Sequence, residues 1–214
     1  MKQYKLYLFD LDGTLIDSDR MLVETFKELY SKYRPGYNPD NSHYLQFSGP
    51  PIAESLKKEF PNLDQKAILE EYKMRSRKYY DEYVRLFPGA YQLLKKLHDE
   101  KVAFGVVTNK HRYATCYTYE LLGLDKFNIF TICADDVDKL KPHQEGIEKA
   151  MQHFGVLKKD EVIYIGDGNC DYLTSVNAGV NFGFVNWSPR KIDGNPKIDL
   201  IIKNYTEFAK EIEK

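Results

Sequence analysis

The chain is short of cysteine, of net charge and of long apolar runs, and each shortage removes a class of function. Its three cysteines, Cys116, Cys133 and Cys170, are odd in number and widely spaced, with no Cys-x-x-Cys pair. Neither a disulfide framework nor a structural zinc site is expected from them, and a reducing cytoplasm is the setting that fits. The 31 Lys and Arg residues against 32 Asp and Glu leave a formal net charge of −1. Without a dense Lys/Arg block the electrostatic footprint of a nucleic-acid binder is missing, so no nucleic-acid partner is expected. No apolar run approaches the roughly 20 residues of a membrane-spanning helix. Lys2 and Lys5 precede apolar residues, but Asp10 and Asp12 interrupt them well short of a signal peptide's apolar stretch. The expectation is a cytosolic protein, monomer or homodimer, with no membrane partner. Its 214 residues suffice for one good core and a smaller lobe.

What is present begins at the first apolar stretch, Lys5 to Phe9, which runs straight into Asp10-Leu11-Asp12-Gly13-Thr14. In an extended chain residues i and i+2 point the same way, so Asp10 and Asp12 share one side. Like charges this close resist joint ionisation, and the pair calls for a cation or a shared proton. Gly13 permits the sharp turn by which a strand releases its end. An ordinary turn would explain one Asp-Gly pair. Three further polar interruptions argue for more, each following a strand-like run: Val102 to Val107 leads to Thr108-Asn109-Lys110, Ile129 to Ala134 leads to Lys141-Pro142, and Val162 to Ile165 leads to Gly166-Asp167-Gly168-Asn169-Cys170-Asp171.

Between Asp17 and about Tyr83 the apolar residues recur at helical spacing, as in Met21-Leu22, Phe26 and Leu29-Tyr30. Asp64 is expected to cap a helix there, with Leu63 and Ile68 as its hydrophobic staple. After Phe87-Pro88-Gly89 helices and strands alternate, which implies parallel strands joined by helical crossovers. Leu122-Gly123-Leu124 reads as a helix stop, later strands fall at Phe182 to Val185 and Asp199 to Ile202, and a last helix falls around Phe208 to Ile212. The chain thus reads as an α/β core, 1–16 and 86–214, interrupted by a helical insert, 17–85.

The Asp pair, the hydroxyl of Thr108, Lys141 and the second Asp pair stand in the order of the four motifs of the haloacid dehalogenase superfamily of phosphohydrolases, and the chain resembles that family over almost its whole length. The resemblance implies a Rossmann-like parallel sheet of order 3-2-1-4-5, with an all-helical cap inserted after the first strand. It implies a Mg²⁺-dependent phosphatase for a small phosphorylated metabolite, working through an aspartyl phosphate. Asp10 would be the nucleophile and Asp12 the acid and base. Thr108, the amides beside it and Asn109 would hold phosphate oxygens, and Lys141 would add positive charge. The metal would rest on Asp10, Asp167 and the Asp12 carbonyl, with Asp171 further out. Phe47-Ser48-Gly49-Pro50-Pro51-Ile52 resembles a substrate-specificity loop of phosphoglycolate phosphatases and related pyrophosphatases, which puts Gly49 and Pro51 among the candidate substrate contacts.

Alternatives stand beside this reading. Asp171 would be favoured in the first turn of a helix with no metal present, and a single lysine such as Lys141 is usually at the surface. Gly166-x-Gly168 matches half of a dinucleotide fingerprint, but Asp171 occupies the third glycine position. Gly168 also stands where many relatives carry a hydroxyl, depriving Asp167 of a local partner. Phosphoglycolate is the favoured substrate; inorganic pyrophosphate, a sugar phosphomutase of the β-phosphoglucomutase kind and a non-catalytic binding protein remain open.

Overall fold

In this computed structural model residues 2–212 are described. They form two compact units: one runs to Ile16 and resumes at Leu86, and the other is Asp17–Arg85. The strands are β1 (Leu6–Phe9), β2 (Ile16–Asp17), β3 (Arg85–Leu86), β4 (Phe104–Val107), β5 (Phe130–Ile132), β6 (Val162–Gly166), β7 (Asn181–Val185) and β8 (Leu200–Ile202). β2 and β3 pair as a separate ribbon where the chain passes from one unit to the other.

The larger unit is built on a six-stranded parallel sheet of order β5-β4-β1-β6-β7-β8. Counting only the strands of this sheet, the order is 3-2-1-4-5-6, so the expected five-strand order needs correction by one strand. The sixth is the run at Leu200–Ile202, which pairs with β7 through Gly183 opposite Leu200. A three-residue strand at the end of a long loop carries no local pattern that says which edge it joins.

β1 is buried throughout and lies between β4 and β6. Both of its faces are covered, as crossover helices require of a parallel sheet. Leu6 and Leu8 pack into a cluster with Ile147, Ala150 and Met151 of α7 (Glu145–Phe154), whereas the Tyr7 ring meets Phe208 of α9 (Tyr205–Glu211) at 6.2 Å. The crossovers are completed by α5 (Ala90–Asp99), α6 (Arg112–Leu122) and α8 (Asn169–Ala178). Gly123 ends α6 in the left-handed conformation, φ +65°, the stop its sequence context announced.

The smaller unit is helical: α1 (Asp19–Tyr33), α2 (Asn41–Leu45), α3 (Ile52–Glu59) and α4 (Gln65–Tyr83). Leu22, Phe26, Leu29 and Tyr30 of α1 form one buried stripe against Tyr44, Phe47, Leu56, Phe60, Ile68 and Tyr72. Asp64 caps α4, accepting from the Lys66 and Ala67 amides at 2.8 and 3.0 Å, and Leu63 packs on the cluster that contains Ile68. Among the described residues no helix is long and apolar enough to cross a membrane.

Candidate active site

The carboxyl ends of β1, β4 and β6 bring three of the polar interruptions together, and the segment before α7 brings the fourth. Because β1 is central, a residue just past its end is flanked on both sides by neighbouring strand ends, the place where open parallel sheets bind ligands. Asp10 occupies it. Its amide still continues the ladder, donating to Ile165 O at 2.8 Å, while its side chain is buried.

Lys141 is the hub of the site. Its Nζ donates to Asp10 Oδ1 at 2.7 Å, Asp171 Oδ1 at 2.8 Å and the Tyr164 hydroxyl at 2.9 Å, and it is only 6% exposed. It is therefore not the surface lysine that base rates favour. Burial alone would lower its pKa, but Asp10 and Asp171 outweigh burial and hold the ammonium well above its ordinary range. One cation cannot neutralise two carboxylates. The surplus appears on Asp10, whose carboxyl is pushed up to about 7 by burial first and then by Asp171, against the pull of Lys141. The phenol of Tyr164 is held well above its ordinary value, chiefly by burial, so it stays a neutral spacer that also reaches Val107 O at 2.9 Å.

Asp171 lies in the first turn of α8 but does not cap that helix: Gly168 is the N-cap residue. Its Oδ2 instead accepts the Asp167 amide at 3.1 Å, which fixes the turn carrying the other aspartate. Gly166 makes this possible, since a Cβ there would lie 2.3 Å from Asp171 Cβ. Gly13, at φ +82°, is required twice over: a Cβ would lie 2.1 Å from Asp167 Oδ2. Asp10, Asp167 and Asp171 can each offer a ligand atom such that all three lie within 4.8 Å of one another, and all three are buried.

Asp12 is turned to Lys110, whose Nζ meets its two carboxylate oxygens at 2.8 and 3.0 Å. Thr108 is buried; its amide donates to Ile132 O and its Oγ1 accepts the Lys110 amide at 3.2 Å. Two amides near the hydroxyl therefore already have protein acceptors. Asn109 reaches the Lys141 backbone from both sides, accepting its N–H at 2.9 Å and donating to its carbonyl at 3.2 Å. This side chain holds the lysine in place. Cys170, between the two aspartates of its motif, has a thiol pushed up to about 12 by burial.

Gly49, at φ +100°, and Pro51, before α3, belong to the helical unit. Four arginines of that unit are engaged within it: Arg34 with Glu59, Arg75 with Glu28 and Glu71, Arg85 with main-chain carbonyls, and Arg20 over the Tyr83 ring at 4.0 Å. Sequence reasoning missed Tyr164, Lys110, Ser188 and Arg190. Tyr164 reads as one more core residue of a buried strand. Lys110 stands beside Thr108 in the same motif, and that adjacency was the available clue. Ser188 and Arg190 lie in the loop after β7, where no pattern marks them.

The haloacid dehalogenase-like hydrolase family profile matches residues 7–185. The chain is 34% identical over 187 residues to pyrophosphatase PpaX of Halalkalibacterium halodurans, spanning 87% of this chain and 85% of that one. It is 32% identical over 183 residues to the PpaX of Anoxybacillus flavithermus, spanning 85% and 83%. A Bacteroides fragilis protein assigned to the haloacid dehalogenase-like hydrolases superposes with a TM-score of 0.85 at 25% identity, over 96% of this chain and 100% of that one. A family hydrolase from Deinococcus radiodurans, crystallised with phosphate and sodium, superposes at 0.74 with 18% identity, over 96% and 93%. With Asp10 at the end of the central strand and the other motif residues gathered around it, the chain belongs to the haloacid dehalogenase-like hydrolases.

Proposed function

We propose that the chain is a Mg²⁺-dependent phosphatase with Asp10 as nucleophile, acting on a small phosphorylated compound, inorganic pyrophosphate foremost. The observation that carries this reading is the buried Asp10 carboxylate at the end of the central strand, bonded to Lys141 and grouped with Asp167 and Asp171. The donor set fits magnesium: buried oxygen ligands, with more negative charge on Asp10 and Asp171 than Lys141 cancels. Asp10, Asp167, Asp171 and the Asp12 carbonyl would hold the ion, which when bound would polarise the phosphoryl group and screen the charge of an anionic substrate.

The protein's own groups do the rest. A carboxylate oxygen of Asp10 bonds to phosphorus as the bond to the leaving oxygen breaks, giving an acyl phosphate. Asp12 protonates the leaving oxygen, then takes a proton from the water that attacks the acyl phosphate and restores Asp10. Lys141, held by Asn109, fixes the rotation of Asp10 and adds positive charge. Thr108 holds a phosphate oxygen. Pyrophosphate is favoured over a phosphomonoester on two grounds. The PpaX relatives carry that name, and the ammonium of Lys110, bonded to both oxygens of Asp12, suits a departing group that is itself an anion. Selectivity among substrates is assigned to the turn 47–52, with Gly49 and Pro51, in a cap formed by the helical unit.

The test is a panel of pyrophosphate, phosphoglycolate, an aryl phosphate and β-glucose 1-phosphate with a bisphosphate primer, assayed with Mg²⁺ and after chelation. Phosphate release from pyrophosphate should lead and should vanish with EDTA and in Asp10→Asn. Full activity after chelation, or more than about a tenth of it in Asp10→Asn, refutes the mechanism. Phosphoglycolate at the head of the panel replaces the substrate, and glucose 6-phosphate formed faster than free phosphate replaces hydrolase by mutase.

A further inference from the structure

The loop after β7 places a second cation on the metal cluster. Arg190 Nη1 donates to Asp167 Oδ2 at 2.6 Å, and the pair is well buried, with side chains 11% and 2% exposed. Ser188 Oγ donates to the same oxygen at 3.1 Å and accepts the Arg190 amide at 3.1 Å. Ser188 thus supplies from a distant loop the hydroxyl that Gly168 cannot offer locally. The loop is anchored on both sides of this contact. Trp187 donates from Nε1 to Gly13 O at 3.3 Å and packs its ring on Phe87 and Tyr205. Asp193 exchanges hydrogen bonds with Asn169 at the start of α8.

An anionic carboxylate oxygen has about two lone-pair sites, and both sites on Oδ2 are taken by these donors. A guanidinium is weakly hydrated and tolerates such burial, and its charge repels a second cation at the same oxygen. We propose that Arg190 opposes the divalent cation electrostatically: its guanidinium charge on Asp167 lowers the affinity of that carboxylate for a second cation, so the chain trades metal affinity for a partly compensated acidic cluster. This rests on the reading of Asp10, Asp167 and Asp171 as the metal site. Arg190 acts through Asp167 and is a positioning residue, touching no reacting atom.

The experiment is a calorimetric titration of metal-free protein with Mg²⁺ alone, for wild type, R190Q and R190K. R190Q should bind Mg²⁺ about tenfold more tightly, within the roughly 5- to 150-fold range of ordinary coupling between competing occupants, and R190K should stay near wild type. Damage to the fold would weaken binding, so tightening cannot come from a merely structural role. Affinity in R190Q equal to or below wild type overturns the proposal. If Mg²⁺ binds none of the three proteins, the metal reading falls along with the proposal; if it binds all three equally, only the proposal falls.

Discussion

Lys141→Met should be among the most damaging substitutions in the larger unit, and the structure sets its size. Methionine keeps the length and apolar stem of the side chain but removes the ammonium that donates to Asp10, Asp171 and Tyr164 at 2.7, 2.8 and 2.9 Å. Two carboxylates that are 3% and 2% exposed then face each other with no lysine between them. Removing one partner of a buried ion pair costs about 3–5 kcal/mol, because the remaining charge is left uncompensated. For a chain of this size that corresponds to a fall in Tm of roughly 6–20 °C. The assay is thermal unfolding of the metal-free protein by circular dichroism, repeated with saturating Mg²⁺. The ion should restore part of the loss, since it supplies positive charge to the same carboxylates. A second substitution, Asp171→Asn, should restore part of it too, since it removes one of the stranded charges. Turnover should fall by about 10²–10³-fold even in the Mg²⁺-loaded variant, the usual cost of losing one preorganised charge at a reacting centre. A metal-free Lys141→Met protein that melts within about 2 °C of wild type would refute the reasoning, because it would mean that the buried carboxylates do not depend on the lysine.

Gly166→Ala should abolish Mg²⁺ binding and destabilise the chain by about 1–3 kcal/mol, because the new Cβ would sit 2.3 Å from Asp171 Cβ; unchanged binding in calorimetry would show that the turn can shift without cost. The pH dependence follows from Asp10, whose carboxyl is raised from 3.8 to about 7 by burial and Asp171. Between these values the folded chain keeps a proton that the unfolded chain has lost, so stability falls as pH rises through that window. In metal-free protein the Tm of Asp10→Asn relative to wild type should therefore climb from pH 4 to pH 7 and then level off. A difference that is flat across that range would contradict the burial of this charge.

The residues of the candidate site were largely legible in the chain because three of the four polar interruptions follow directly on a strand, and a parallel sheet puts its strand ends on one edge. Alternating helices and strands after Phe87, the helical spacing from Met21 to Tyr83, the Asp64 cap and the Gly123 stop are local signals, and they formed where they were written. Asp10, Asp167 and Asp171 could be named as candidates for the same reason, and Lys141 from its place before Pro142. The tertiary structure alone decided what these groups touch. The placement of Leu200–Ile202 beside β7, the reach of Tyr164 to Lys141 and the grip of Asn109 on the Lys141 backbone depend on contacts between residues far apart in sequence. The hydroxyl and guanidinium on Asp167 come from Ser188 and Arg190, 21 and 23 residues away. Periodicity and propensity report what a residue does within its own turn or strand. A partner delivered by a loop is fixed by the packing of that loop, here by Trp187 against Phe87 and Tyr205, and that packing exists only once the chain has folded.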